Sequence, residues 1–270
     1  MMCRLLSSLA MVWVFLFAAP VLLGAEEIML DESIHQLVGE DYLYAIDFLF
    51  FTKLADGQLE LTKTEQPNVY RAKLLGRTLG VASWLSGDRT QTYTSLMELA
   101  PDGSLQSIEH LSKIRKRRWG KWHNSEKRQT FDYAQGKLLG QKIKDATVHP
   151  EKEFSLPAGL RPVDRLTAFY DVRTGVYGPL VRGSKLLIPT FAKEKVSDIE
   201  VNVLTVEQQA KHGYFPSGGR LVEATVEPEI FETDSGRLYF WFDAAGTPSR
   251  GIVEDLIGLG DVRGYLEEGL

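Results

Sequence analysis

Apolar and polar side chains alternate along much of this chain. Tyr42, Tyr44, Ile46, Phe48 and Phe50 share one parity, while Asp41 and Asp47 fall on the other. A period of two marks a strand with one buried face. Asp56-Gly57 is a turn signal, and Leu59 and Leu61 then alternate with Gln58, Glu60 and Thr62, so the two runs predict a hairpin about that turn. Strands are also predicted at 69–75, 80–85 and 90–99, with Gly87-Asp88 turning the last two. Pro101-Asp102-Gly103 ends that run. Residues 105–118 and 127–143 predict a long hairpin with 120–125 as its tip.

Periodicity lapses over 144–160, where Pro150 and Pro157 predict a surface loop. One helix is predicted near 163–173. Asp164 suits a helix start, and Val163, Leu166 and Tyr170 sit at i, i+3 and i+7 with Phe169 beside them. Gly175 ends it. Strands resume at 184–191, 198–208, 220–227, 237–242, 252–257 and 262–266. Helices between successive strands are missing, so a parallel α/β fold is excluded. The expectation is an all-β chain: a large antiparallel, strongly bent or barrel-like sheet with one short helix. Residues 26–270 read as a single continuous β-rich domain without an exact internal repeat, the alternative being an old duplication of two halves, 41–147 and 162–267.

The first 25 residues break this pattern. Arg4 is the only charged residue before Glu26, and an apolar block from Leu5 to Leu23 follows it, broken by Ser7, Ser8 and Pro20. Gly24 and Ala25 are small, and Glu26 and Glu27 come next. That layout predicts a secretory signal peptide cut after Ala25. The rival is an uncleaved anchor, since about twenty apolar residues can span a bilayer. Pro20 and the Gly24-Ala25 pair favour cleavage. Periplasmic or secreted localisation follows as an expectation.

The sole cysteine, Cys3, lies before the apolar block, so a mature chain carries no disulfide, thiolate metal site or cysteine nucleophile. Losing Arg4 from the 31 basic residues leaves 30 against 36 acidic ones, a net charge of −6. An acidic protein argues against nucleic acid as the main partner.

Residues 113–128 stand apart. Lys113, Arg115, Lys116, Arg117, Arg118, Lys121, Lys127 and Arg128 surround Trp119 and Trp122, and Glu126 is the only acid. Arginine grips phosphate or carboxylate in two-pronged fashion, and tryptophan suits a membrane interface or a sugar face. Lys113, Arg115, Arg117, Arg118, Trp119, Lys121 and Trp122 are therefore the candidate anion, lipid or glycan site. The plainer alternative is a protruding hairpin whose cations keep an edge strand soluble.

Other residues read as structural. Trp241 sits in the unbroken apolar run Leu238-Tyr239-Phe240-Trp241-Phe242, which suits a strand covered on both faces. Tyr170 and Arg173 share a helix face with Asp164 at its start, and a buried Arg173 bonded to strand carbonyls would lock the helix onto the sheet. Glu223, Glu227 and Glu229 read as a solvated edge rather than a catalytic pair. The five histidines show no metal-ligand spacing, although His110 and His123 could meet across the hairpin. No nucleophile elbow, phosphate loop or dinucleotide fingerprint occurs.

The run Asp164-Arg165-Leu166-Thr167-Ala168-Phe169-Tyr170, continuing through Arg173 to Gly178, resembles the helix motif of a family of exported bacterial proteins called domain of unknown function 3108. Gly219-Arg220-Leu221 with Val226-Glu227-Pro228, then Gly236-Arg237-Leu238-Tyr239-Phe240-Trp241-Phe242-Asp243, are similar to its strands. Pro248 with Gly260 through Leu266 resembles its closing segment, and Gly39-Glu40-Asp41-Tyr42-Leu43-Tyr44 its opening strand. Thr167 stands where the family favours Ser, and Phe242-Asp243-Ala244 replaces its Ser-Asp-Asp ending. The resemblance implies an all-β, export-destined protein and no established activity, cofactor or catalytic residue. The expected role is non-catalytic binding or scaffolding of an envelope component such as anionic lipid or polysaccharide, without a cofactor. The alternative is an envelope glycan hydrolase.

Overall fold

A computed structural model describes residues 33–48, 51–192, 194–228, 233–256 and 260–267. The predicted signal peptide, 1–25, lies outside the described residues. Fifteen strands join in one antiparallel sheet. They are β1 Asp41–Phe48, β2 Phe51–Lys63, β3 Val69–Thr78, β4 Thr90–Leu99, β5 Leu105–Arg118, β6 Lys121–Asp132, β7 Lys137–Lys144, β8 Thr147–Val148 and β9 Lys152–Ser155, then β10 Lys185–Ala192, β11 Lys195–Val203, β12 Arg220–Thr225, β13 Arg237–Phe242, β14 Pro248–Leu256 and β15 Gly260–Leu266. The helices are α1 Ile34–Leu37, α2 Gly80–Ser86, α3 Arg165–Arg173 and α4 Val206–Gln209.

The sheet order is β10 through β15, then β1 through β8, with β9 on β7. Each half is a meander, and the pairing of β15 with β1 joins them. α3 lies between the two walls. Its Ala168 and Val172 pack with Ile188, Val201, Val222 and Phe242 of the second half. Its Leu166 and Tyr170 pack with Leu61, Tyr70 and Met97 of the first. The helix is thus buried on two sides, which explains why one predicted apolar stripe does not describe it. A separate apolar cluster covers the outer face of the second half. There the segment 204–219 lays Leu204 and Phe215 over Leu221, Tyr239 and Ile252.

Several expected boundaries are corrected. Asp56-Gly57 is no turn: β2 runs straight through it, and Gly57 faces Tyr44 across the ladder. A Cβ at Gly57 would meet the Tyr44 Cβ at 3.6 Å, an ordinary van der Waals contact, so this glycine neither turns the chain nor marks a close approach. The expected strand at 80–85 is the helix α2. Gly87, at φ 75°, caps it by donating its N–H to Ser83 O. The expected tip at 120–125 shrinks to Trp119-Gly120, at φ 51° and 73°. Two successive left-handed residues make the two-residue turn whose twist matches paired strands. The expected strand 127–143 is then two strands, β6 and β7, turning at Gly136 (φ 63°). The expected loop 144–160 contains β8 and β9, and the end of the expected strand 198–208 becomes α4.

Candidate functional site

The β5–β6 hairpin carries the basic cluster to its tip. Register pairs Arg115 with Asn124, Lys116 with His123, Arg117 with Trp122 and Arg118 with Lys121. Trp119 is 90% exposed and Trp122 43%. The Arg115 guanidinium lies over the Trp122 ring, 4.1 Å from its centroid. Lys113 pairs with Glu126 at 3.2 Å, and Arg128 reaches Glu109 and Glu126 at 3.6 and 3.5 Å. Lys116, Arg118 and Lys121 have no carboxylate within ion-pair distance among the described residues. The base of the tip is fastened: the Arg117 N–H donates to Gly87 O. Between the tip and α2 an open cleft of about 530 Å³ is lined by Ser83, Asp88, Arg117 and Trp119.

One apolar cavity of about 110 Å³ lies between α3 and the second wall, lined by Phe169, Val172, Ile188, Val222, Leu238 and Phe240. Arg165, at the N-terminal end of α3, stands on its edge and also lies over the Tyr93 ring at 5.4 Å.

Beside α3 sits a buried polar hub. The Asp164 carboxylate caps the helix by accepting from Leu166 N and Thr167 N. It also accepts from Ser95 Oγ (2.5 Å), Ser107 Oγ (2.7 Å) and Thr167 Oγ1 (2.7 Å). His110 Nδ1 lies 2.9 Å from Ser95 Oγ and 3.3 Å from Asp164 Oδ1. Burial alone would raise the Asp164 pKa, but His110 and the Ser95 and Thr167 hydroxyls outweigh it and hold the carboxyl well below the usual range.

Ser, His and Asp meet here, yet not as a nucleophilic triad. In such a triad the imidazole stands between hydroxyl and carboxylate, one nitrogen to each. Here one nitrogen faces both, the hydroxyl donates directly to the carboxylate, and Ser95 is completely buried. The other nitrogen, His110 Nε2, is buried without a partner among the described residues. The hub pins the helix N-terminus to β4 and β5. Farther along the helix, Asp171 accepts from Leu105 N at 2.8 Å, and burial raises its pKa to about 7.

Arg173 is buried as expected, but its partner is the Glu40 carboxylate rather than strand carbonyls. Its guanidinium also lies 5.8 Å from the Tyr170 ring. Trp241 faces outward, half-buried beneath the 204–219 segment, and donates Nε1–H to Gly218 O at 2.9 Å. Glu223 accepts from Tyr239 Oη at 3.0 Å, and Glu227 pairs with Lys195 at 2.7 Å; Glu229 lies outside the described residues. His110 and His123 do not meet: register places them opposite Gln129 and Lys116. Among the described residues no group of three or more His, Cys, Asp or Glu is placed to hold a metal ion. Sequence reasoning missed Ser95, Ser107 and His110. Their one local signal is a polar side chain on the core-facing parity of a strand.

The profile of the family described as "Protein of unknown function (DUF3108)" matches residues 43–266. The chain belongs to that family. No curated protein matches it. It is similar in structure to a beta-barrel-like protein of domain of unknown function DUF1849 from Brucella abortus, at 9% identity and a TM-score of 0.44, over 84% of this chain and 95% of that one.

Proposed function

We propose that this DUF3108 member is exported and works in the cell envelope as a non-catalytic binding or scaffolding protein for an anionic component, lipid or polysaccharide. The layout of residues 1–25 supports export. The observation that carries the binding role is the hairpin tip, where Lys116, Arg118 and Lys121 stand without carboxylate partners among the described residues, beside the exposed Trp119.

The two rival readings find less support. Glycan hydrolysis needs two carboxyl groups flanking a cleft. The carboxylates at the centre of this molecule, Asp164 and Asp171, are buried and occupied by the helix and by Leu105 N. Carriage of a whole lipid needs a wide cavity. The cavity beside α3, about 110 Å³, is smaller than the roughly 150 Å³ cavity that admits benzene.

Co-sedimentation with anionic vesicles and with an acidic polysaccharide tests the reading, comparing wild type with the Arg115→Ser, Arg117→Ser, Arg118→Ser variant. Binding by wild type that weakens in the variant and at high salt supports it. No binding by either protein, or equal and salt-independent binding by both, returns the hairpin to a soluble protrusion.

A further inference from the structure

The end of the β5–β6 hairpin stands clear of the rest of the sheet. β4 pairs with β5 no farther than Arg115, and β7 pairs with β6 no farther than Ser125. Beyond them run only the pairs Lys116–His123, Arg117–Trp122 and Arg118–Lys121, closed by the turn Trp119-Gly120. From Arg115 to Ser125 the chain holds five cations, two tryptophans and no Asp or Glu.

The cations of this finger lie on both faces. Paired residues share a face, so Lys116, Arg118 and Lys121 lie on the inner one, the parity of buried His110. Arg115, Arg117 and Trp122 lie on the outer one, where the Arg115 guanidinium covers the Trp122 ring. Two carboxylates border the base, and both are engaged. Asp88 accepts from Ser83 Oγ at 2.5 Å, and Asp145 is bonded to His123 at 2.9 Å and accepts from Asn124 N.

Both edges of the finger are free, and its lysines and arginines keep other strands from adding there. Edge protection accounts for the cations. It does not account for Trp119, which is 90% exposed at the apex with φ 51°. Two-residue turns of this kind favour Asn or Asp before Gly, because a bulky side chain sits poorly at positive φ. Solubility and turn chemistry would both select Asn here, yet an aromatic ring is held outward against both. Backbone strain kept at such an apex points to a contact that uses the side chain.

We propose that the finger docks on an anionic bilayer surface, with Trp119 in the headgroup region and its cations among the lipid phosphates. The inference deepens the binding role above and rests on it. The amphipathic ring of tryptophan suits a membrane–water interface. Lys116 lies three residues from Trp119, about 10 Å at roughly 3.3 Å per residue. That is one screening length at 0.1 M, about 10 Å, so a surface touching Trp119 attracts Lys116, Arg117, Arg118 and Lys121 together. A linear polysaccharide along one face leaves the cations of the other unused, whereas a headgroup layer surrounds both. The finger is also braced for contact, since the Arg117 N–H bond to Gly87 O fixes it to the end of α2.

The test uses the intact protein with phosphatidylcholine vesicles, the same vesicles containing phosphatidylglycerol, and a polyuronate oligomer. One variant is Trp119→Asn, which gives the turn its preferred residue. The other is Lys116→Ser, Arg118→Ser, Lys121→Ser. Circular dichroism checks each fold, and Trp119→Gly or the corresponding Gln set replaces a variant that fails to fold. Wild type is expected to bind anionic vesicles about tenfold or more tightly than neutral ones. Trp119→Asn is expected to lower anionic-vesicle affinity about tenfold and polyuronate affinity less than about threefold, whereas the charge variant lowers both. Lipids brominated along the acyl chain should quench tryptophan emission more in wild type than in Trp119→Asn. Vesicle binding or quenching unaffected by Trp119→Asn, equal binding to neutral and anionic vesicles, or an equal or larger loss on polyuronate overturns the membrane assignment. Polyuronate binding without vesicle binding also overturns it, in favour of a glycan. The broader binding role stands wherever polyuronate still binds, and absence of binding to every probe overturns both.

Discussion

The Arg173 guanidinium grips the Glu40 carboxylate with two hydrogen bonds, Nη1 to Oε2 at 2.5 Å and Nη2 to Oε1 at 2.7 Å. The pair joins the end of the central helix to the residue just before β1. Arg173 is almost wholly buried and Glu40 nearly so, their side chains 2% and 12% exposed. Removing one partner leaves an uncompensated charge inside. Glu40→Ala is therefore expected to destabilise by about 3–5 kcal/mol. Arg173→Met, which keeps the stem's packing and frees Glu40 to move toward water, is expected to cost less. Urea denaturation of both variants checks the ordering.

Asp171 gives the fold a dependence on pH. Burial raises its pKa to about 7, with Asp164 nearby adding to the rise. The unfolded carboxyl titrates near 3.9, so between about pH 4 and 7 the native state holds a proton that the unfolded state has lost. Stability from this group is full at low pH and falls as pH rises through that window. Asp164 acts in the opposite sense: its lowered pKa contributes stability above the ordinary carboxylate value, lost on acidification. Asp171→Asn can still accept from Leu105 N and carries no charge. It is expected to be more stable than wild type at pH 8, by on the order of a few kcal/mol, and to match it near pH 4. Denaturation midpoints at the two pH values decide this; a constant difference would assign the effect to something other than titration.

Much of this fold is legible in the chain. Alternation located most strands, and Asp164 with Gly175 bracketed the helix. What failed had physical causes. Val81, Trp84 and Leu85 are spaced as a helix turn would space them, yet so short an apolar run also fits a strand. Asp56-Gly57 has turn chemistry, but both residues are paired with β1 on one side and β3 on the other, and the ladder overrides the local turn preference. The hub of Ser95, Ser107, His110 and Asp164 was invisible because its members are up to 69 positions apart and meet only through sheet register. The basic cluster was plain in the sequence. Its division between two faces needed the position of the hairpin turn, since a tip misplaced by one residue exchanges inner for outer.

That turn region offers its own test. Gly87 has φ 75°, and a side chain there would collide with the backbone of Arg117. Gly103 has φ 85° but open space around it. Gly103→Ala is expected to cost about 1 kcal/mol from backbone strain alone, and Gly87→Ala distinctly more. Thermal denaturation of the two variants side by side measures the difference, and equal costs would mean that the helix and the hairpin tip are not held together.

Export is expected to end in processing. Protein recovered from the native host should begin at or near Glu26, read by N-terminal sequencing. An intact Met1 in a membrane fraction would instead support an anchor.

The binding role is tested most directly by titrating the intact protein with a polyuronate oligomer across salt. The screening length falls from about 10 Å at 0.1 M to about 3 Å at 1 M. Attraction between the tip cations Lys116, Arg118 and Lys121 and an anionic chain should therefore give saturable binding at the lower salt that collapses at the higher. No binding at either concentration, or affinity that salt leaves unchanged, would contradict an electrostatic binding surface on this hairpin.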